Sequence, residues 1–519
     1  MERLRAVRRH LGATAPAAGC PAAATAPRHA AAPKLLDDAQ VREFVTRGVL
    51  TLPVSELPDA FHAAIHAEAE RMFDKGIGMG NDIYPGISGL KDVLESPTVS
   101  GALTSLLGKG YALHPHRHMH QSTTQGDQTF HKDSQRGKVK GFRPRWVMAL
   151  YVPAGCTPEM GPTAVVPQSH YLANDGLGLS FTEHWPGGCH LTDSDAPNDP
   201  TPLAPFLKEE KCVAPLRQGS VTLMHYDVVH RGTERALAEH LESVPFRPMF
   251  KFQFLRTTDP GTSPSWDHDP SASLASFEEL AGEELAPVCC SVWEWMLGNT
   301  PPENVQALQN GCHDTIGSLR FDLTMKGPQA EARRVNAAFQ LARGGWLGDA
   351  RAHVPLLLAL TDDGCEAGMR AAMHALGCAG DAVVPTLIEK GLRHPSPLVA
   401  GRAAEALGEA AETPTAQVVA ALCELAARMH TEIEEMPATV DWVEESNFLL
   451  ETFQLPLLPE VQREAAARWV AVAACVDALA VLGQRAVSQG EGALCAELAM
   501  VFASTADNPH RNISFKGWH

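Results

Sequence analysis

Twelve cysteines are scattered through the 519-residue chain without one C-x-x-C pair, and only Cys289 and Cys290 are neighbours. That spacing excludes a structural zinc ribbon and offers no disulfide framework, so a reducing compartment is expected. Positive charge is scarce as well. Lys and Arg number 43 against 61 Asp and Glu, a formal charge of −18. Phosphate recognition needs clustered cations, so neither nucleic acid nor an anionic membrane is expected as a partner. No apolar run approaches the roughly 18 residues that cross a bilayer, and no membrane span is expected. Residues 1–34 contain no Ser and a single acid, Glu2, among several Arg, Ala and Pro. This composition suits a disordered tail or, less well without Ser, an organelle transit segment. A cytoplasmic location is expected, with an organelle as the alternative.

What is present is enough apolar material, 45% of the residues, for at least two cores. Asp37 as N-cap, the apolar positions Ala39, Val41, Phe44 and Val45, and Gly48 as a stop predict an opening helix, followed by a strand from Val49 to Leu52. Further helices are predicted over 58–74 and 97–107, with a Gly-rich loop from Gly76 to Gly89 between them. Short runs rich in Val, Tyr, Phe and Trp, broken by Pro and Gly, then predict strands near 111–120, 129–134, 146–152, 163–167, 220–225 and 249–255. That is the pattern of a β-sandwich or barrel. The polar, Pro-rich stretch 193–205 is expected to be a long loop, and 261–284 has the Ser, Pro, Asp and Glu content of a linker.

Beyond about Gln329 the chain becomes Ala- and Leu-rich with helical spacing, and it repeats. Val354-Pro355 returns as Val384-Pro385, a shift of 384 − 354 = 30, and Ala375-Leu376-Gly377 returns as Ala406-Leu407-Gly408, a shift of 406 − 375 = 31. A period near 30 built from paired amphipathic helices describes a solenoid. These segments resemble HEAT-type repeats. Residues 429–459, acidic and interrupted by Pro437, Pro456 and Pro459, read as an insertion between repeats.

The chemistry centres on Phe130-His131-Lys132-Asp133. Residues two apart on a strand share a face, so His131 and Asp133 can reach one metal ion. His230, at the end of Gly219-Ser-Val-Thr-Leu-Met-His-Tyr-Asp-Val-Val-His, is the candidate third ligand. Two imidazoles and a carboxylate on one face of Fe(II) leave three positions open, as oxygen activation requires. A His-x-Asp pair alone is common by chance, but its neighbours follow in order: Gly161-Pro162, Val165-Val-Pro-Gln-Ser-His170, the strand before His230, and Phe246-Arg-Pro-Met-Phe-Lys-Phe-Gln-Phe254. With Leu36-Asp37-Asp38 and Leu106-Leu107-Gly108 upstream, residues 35–258 resemble the phytanoyl-CoA dioxygenase family of 2-oxoglutarate-dependent, non-haem iron oxygenases.

The resemblance implies an α+β chain. A double-stranded β-helix (jelly roll) oxygenase domain with flanking helices would span 35–260, a linker and helical connection 261–328, and an all-α HEAT-like solenoid 329–519. It implies Fe(II) held by His131, Asp133 and His230, with 2-oxoglutarate and O2 as co-substrates. It places the co-substrate's anchoring arginine at the start of the strand after the second histidine, where Arg247 stands, and lines that pocket with Gln128. The gap 247 − 230 = 17 is longer than the family usually shows, which leaves Arg235 and Arg256 as rivals. Halogenating relatives lack the carboxylate that Asp133 supplies, so hydroxylation or desaturation of a small organic substrate is the expected reaction.

Other features have two readings. His114, His116, His118 and His120 would share one strand face, either as a second metal site or as a polar lining of the cavity. Arg136, Lys138, Lys140, Arg143 and Arg145 form either a solvated run or a site for an anionic substrate group. For the whole chain, an inactive core carrying a repeat scaffold, or a protein hydroxylase whose solenoid recruits a protein partner, are the alternatives to a small-molecule oxygenase.

Overall fold

The computed structural model describes residues 32–76, 80–121, 128, 132–133, 141–171, 211–213, 216–235, 247–271, 276–298, 316–325, 330–346, 350–362, 365–436 and 460–496. His131, most of the expected strand 129–134, the loop 193–205 and the insertion 437–459 lie outside the described residues.

The opening helix α1 (Asp38–Arg47) begins as its sequence dictates. The Asp37 carboxylate accepts from the Gln40 backbone N–H at 2.8 Å, and the Gln40 side chain accepts from Asp37 N–H at 3.1 Å. This reciprocal capping box contributes on the order of 1 kcal/mol. Gly48 ends the helix at φ +73, and strand β1 (Val49–Pro53) follows. Helices α2 (Asp59–Asp74) and α3 (Pro97–Leu107) fall where the spacing predicts. The intervening Gly-rich stretch is less irregular than expected, because Ile83–Gly86 and Gly89–Leu94 form short helices that bury Ile83, Leu90 and Val93.

The strands make two sheets. In the larger, β1, β7 (Ser220–His225), β4 (Trp146–Val152), β9 (Pro248–Leu255) and β2 (Ala112–Leu113) lie in that order, with β3 (His118–Gln121) also paired to β9. The smaller sheet runs β6 (Lys211–Cys212), β5 (Thr163–Val165), β8 (His230–Gly232). All pairings in both sheets are antiparallel. Alternation along β4 and β9 separates two interiors. Val147, Ala149, Tyr151, Phe250, Phe252 and Phe254 join the core that contains the helices. Trp146, Met148, Leu150 and Met249 face the other way and pack with Val165 of the smaller sheet. The functional residues described below belong to this second interior.

The expected single strand 111–120 is two short strands. Pro115 sits between them, and a residue without an N–H interrupts a ladder.

The segment 261–298 packs closely on α1. Trp266 Nε1 donates to Asp38 Oδ1 at 2.6 Å, and helix α4 (Ala286–Met296) is buried at every position but Pro287. The C-terminal half is helical throughout its described residues. Helices α5 (Glu331–Trp346), α6 (Glu366–Gly377), α7 (Pro397–Ala410) and α9 (Glu460–Gln489) stack in succession, with His353–Leu360, Leu387–Leu392 and α8 (Ala416–Glu434) as a second layer. Gly408 makes the last step of the stack possible, since a Cβ there would stand 2.6 Å from Ala478 Cα. Part of α9, Ala467–Gln489, is long and apolar enough by length and composition to cross a membrane, contrary to the sequence expectation. It is instead packed on α7 and α8, and its Arg485 is ion-paired to Asp259 at 2.6 Å.

Candidate metal centre

Strand β8 fixes the imidazole of His230. Val165 pairs with His230 across the small sheet, Val166 N–H donates to Val229 O at 2.9 Å, and Val229 N–H donates to Ser169 Oγ at 2.8 Å. The Gly161-to-His170 motif is therefore the frame that holds this histidine. His230 Nδ1 lies 3.0 Å from Val228 O. A carbonyl only accepts, so Nδ1 carries the proton and Nε2 presents its lone pair.

Nε2 looks toward Asp133, whose Oδ1 is 4.0 Å away. Ligands on one face of an ion, each about 2.1 Å from it, stand about 3 Å apart, so this pair would close by about 1 Å to share a metal. Asp133 Oδ2 is ion-paired to Lys251 Nζ, and Oδ1 is the oxygen that faces His230. The expected strand at 129–134 is not seen in its described part, where Asp133 sits in a turn. The third expected ligand, His131, lies outside the described residues, and among the described residues no group of three or more His, Cys, Asp and Glu is gathered for a metal.

Arg247 stands directly before β9 and is 4% exposed. Its Nη2 donates to Gly161 O at 2.6 Å, its Nε has no hydrogen-bond partner, and no carboxylate pairs with it among the described residues. Burial pulls its pKa below the usual guanidinium value. A buried cation with an uncommitted edge suits an anionic ligand that presents a carboxylate. Its rival Arg256 is committed elsewhere, donating to Leu106 O at 2.8 Å and lying 4.9 Å over the Trp295 ring. Arg235, the other rival, lies beyond β8 and is half-buried.

Gln128 does a different job from the one expected of a pocket-lining residue. It is exposed, its backbone N–H donates to Gly232 O at 2.8 Å, and its Oε1 accepts from Gly232 N–H at 2.9 Å. It braces the strand that carries His230.

The histidine series lines the same interior. His118 is opposite Lys251 on β9, and the rings of His116, His118 and His120 succeed one another at 4.7 and 5.6 Å. Burial pushes His120 down to about 4, helped by Lys251, His118 and Arg247, while Asp133 acts in the opposite direction. His120 therefore stays neutral and marks the point where Lys251, Asp133 and Arg247 converge. Lys251 was missed by sequence reasoning. Its signal was a lone amine on the small-sheet face of an otherwise apolar strand, at Phe-Lys-Phe.

Residues 87–235 match the family model described as Phytanoyl-CoA dioxygenase (PhyH). That match covers His230, Asp133 and the framing motif, and stops short of Arg247. Among solved structures, the chain is similar to the non-heme alpha ketoglutarate dependent carbocyclase SnoK from nogalamycin biosynthesis, at 17% identity, TM-score 0.32, 44% of this chain and 88% of that one. It is similar to HygX from Streptomyces hygroscopicus with nickel and 2-oxoglutarate bound, at 15% identity, TM-score 0.31, 43% and 88%. EctD from S. alaskensis with 2-oxoglutarate and 5-hydroxyectoine aligns at 16% identity, TM-score 0.31, 43% and 77%. No curated protein matches the chain.

Proposed function

We propose that the chain is an Fe(II)- and 2-oxoglutarate-dependent dioxygenase that hydroxylates or desaturates a small organic substrate. The observation that carries this reading is the approach of the His230 lone pair to the Asp133 carboxylate, together with a buried guanidinium, Arg247, that has no carboxylate partner among the described residues. His131 would complete the metal's protein ligands. Bound together, Fe(II), 2-oxoglutarate and dioxygen supply oxidation of an unactivated C–H bond, with succinate and CO2 as co-products.

The chain's own residues do the rest. Arg247 would hold the far carboxylate of the co-substrate through charge-assisted hydrogen bonds in a site shielded from water. Lys251 would orient the Asp133 carboxylate, and the Val228 carbonyl fixes the His230 tautomer that a metal needs.

The surroundings favour a small substrate. Trp146 is on the same sheet face as Lys251 and four residues along the strand from Leu150, Lys251's partner, roughly 13 Å away. It stacks on Tyr226 at 4.6 Å. Beyond it, between sheet and helices, is a cavity of about 160 Å³ whose lining mixes Phe142, Trp146 and Met373 with Arg145, Arg256 and Glu409. The HEAT-like helices close this end of the sheet, which supports a wall for a small ligand over an arm that recruits a protein chain.

The test is an anaerobic loading of the full chain with Fe(II) and 2-oxoglutarate, followed by admission of air and measurement of succinate. Succinate is expected from the native chain and should be absent from Asp133→Ala and His230→Ala. Succinate release at equal rates from all three would overturn the reading.

A further inference from the structure

We propose that the cavity between sheet and helices is a binding site for a small zwitterion, an ω-amino carboxylate whose carboxylate meets the arginines at the sheet end and whose ammonium meets Asp477 of α9. The site is separate from the candidate metal centre, since Trp146 on its wall stands roughly 13 Å along the sheet from Lys251. Binding there requires no metal.

The cationic end answers the question the sequence leaves open about its basic run. Arg143 and Arg145 line this cavity, and Arg256, directly after β9, joins them. Glu409 and Asp259 pair with Arg143, Arg145 and Arg485. Arg256 has no carboxylate within ion-pair distance among the described residues and donates only to backbone oxygens, Leu106 O at 2.8 Å and Thr258 O at 3.5 Å. Four guanidiniums thus stand against two carboxylates, a surplus of 4 − 2 = 2 positive charges. Arg143 and Arg256 are 6% and 4% exposed, and the Nε of each has no hydrogen-bond partner among the described residues. Burial, with the Arg145 charge beside it, pulls Arg256 down to about 9. A carboxylate bound here would supply the missing counter-charge and an acceptor for those N–H groups.

The other end is acidic. Helix α9 turns Asp477, Val481 and Gln484 to the cavity, positions i, i+4 and i+7 of one face. Arg485, part of the cationic cluster, follows Asp477 by eight residues, about 12 Å along the helix axis. Asp477 makes no hydrogen bond or ion pair among the described residues. Its neighbour across the cavity, Glu405, is already taken by Arg402 at 3.0 Å. Burial raises the Glu405 carboxyl's pKa and Asp477 adds to the rise, so a cation beside Asp477 would relieve both acids. Between the two ends the wall is apolar, formed by Phe142, Trp146, Met373 and Val481.

This distribution selects the ligand. A simple carboxylate leaves Asp477 unanswered, and a simple amine leaves the arginines unanswered. A methylene chain with a charge at each end serves both and covers the apolar wall. An α-amino acid has its two charges on neighbouring atoms, too close together for charges so widely separated.

The experiment is calorimetric titration of the full metal-free chain with 6-aminohexanoate, hexanoate and hexylamine, with thermal unfolding of each variant recorded in parallel. 6-Aminohexanoate is expected to bind about tenfold or more tightly than either singly charged probe, and to raise the unfolding temperature of the native chain. Asp477→Asn should weaken 6-aminohexanoate about tenfold while leaving hexanoate no weaker. Arg256→Gln should weaken both carboxylates and spare hexylamine. Val481→Trp, which fills the cavity, should remove binding of all three. If Arg256→Gln does not fold, the comparison of hexylamine with 6-aminohexanoate tests the cationic end. A native chain that does not bind 6-aminohexanoate, or that binds it within twofold of hexanoate and hexylamine, would overturn the inference. So would a folded Asp477→Asn or Val481→Trp chain that binds it as tightly as the native one. Failure of the succinate test leaves this inference standing, because the titration contains neither metal nor 2-oxoglutarate.

Discussion

Glu409 offers a quantitative test of how the sheet and the helices are joined. Its carboxylate accepts from Arg143 Nη1 at 2.8 Å and from Arg145 Nε and Nη2 at 2.7 and 3.0 Å, and it lies 3.7 Å from Arg485 Nη2. Asp259 takes Arg145 Nη1 at 2.5 Å and Arg485 Nε at 2.6 Å. Arg143, Arg145 and Arg256 also crowd the Trp295 ring at 5.2, 5.1 and 4.9 Å. Two carboxylates thus serve three guanidiniums, and Glu409→Gln removes half of the negative charge. Burial raises the Glu409 carboxyl's pKa, but Arg145, Arg143 and Arg485 outweigh it and hold it at about 2, against an ordinary value of 4.5. A depressed acid stabilises the fold above its unfolded pKa and loses that contribution as pH falls toward the folded value. The linkage amounts to about 3 kcal/mol, in line with the roughly 3–5 kcal/mol for breaking a buried pair. One-quarter exposure of the side chain screens part of this. The variant should therefore lose about 2–3 kcal/mol. In denaturant melts of both proteins from pH 8 to pH 3.5, the gap should be constant down to about pH 5 and narrow below about 4.5. A gap under about 1 kcal/mol at pH 7, or one that does not narrow in acid, would refute the reasoning.

Two further outcomes follow from single positions. Arg247→Lys keeps the charge but loses the fork, so the KM for 2-oxoglutarate in the succinate assay should rise about tenfold or more while the Co(II) Kd stays near native. Gly48→Ala puts a Cβ 2.3 Å from Val228 Cγ2 and 2.6 Å from His170 Nδ1 at φ +73. It should cost about 1–3 kcal/mol in thermal unfolding, and because Val228 O orients His230 it should also weaken Co(II) binding.

What was legible in the sequence was local or periodic. The α1 capping box and its Gly48 stop, the exact span of α3, and the alternating strands β4 and β9 all follow from residues within a few positions of one another. The framing of His230 was legible as an ordered set of motifs, although the separate roles of Ser169 and Gln128 were not, because each acts through a backbone group of a distant segment. Partnerships over long separations left no local mark. Arg143 and Arg145 read as part of a basic run, and their counter-ion is 264 or more residues away on α7. Lys251 carries the same limitation, since nothing beside Phe-Lys-Phe announces the carboxylate it meets. The apolar length of α9 escaped notice because Arg485 and Asp477 interrupt it, and their charges are acceptable there only through pairing and partial exposure.

The helices do more than follow the oxygenase region in the chain. One contiguous core contains Val147, Phe142, Tyr171 and Phe252 from the sheet side together with Phe339, Leu376, Ala403 and Leu407 from the helices. A surface that is buried in a shared core is not available to capture a partner, so the face of α5, α6 and α7 turned to the sheet is structural, and any protein-binding role falls to the other layer. Opening this shared core from the helical side, as in Leu407→Ala on α7, should therefore cost about 2–5 kcal/mol and be felt by sheet and helices in one unfolding transition; separate transitions would show that the two halves fold apart.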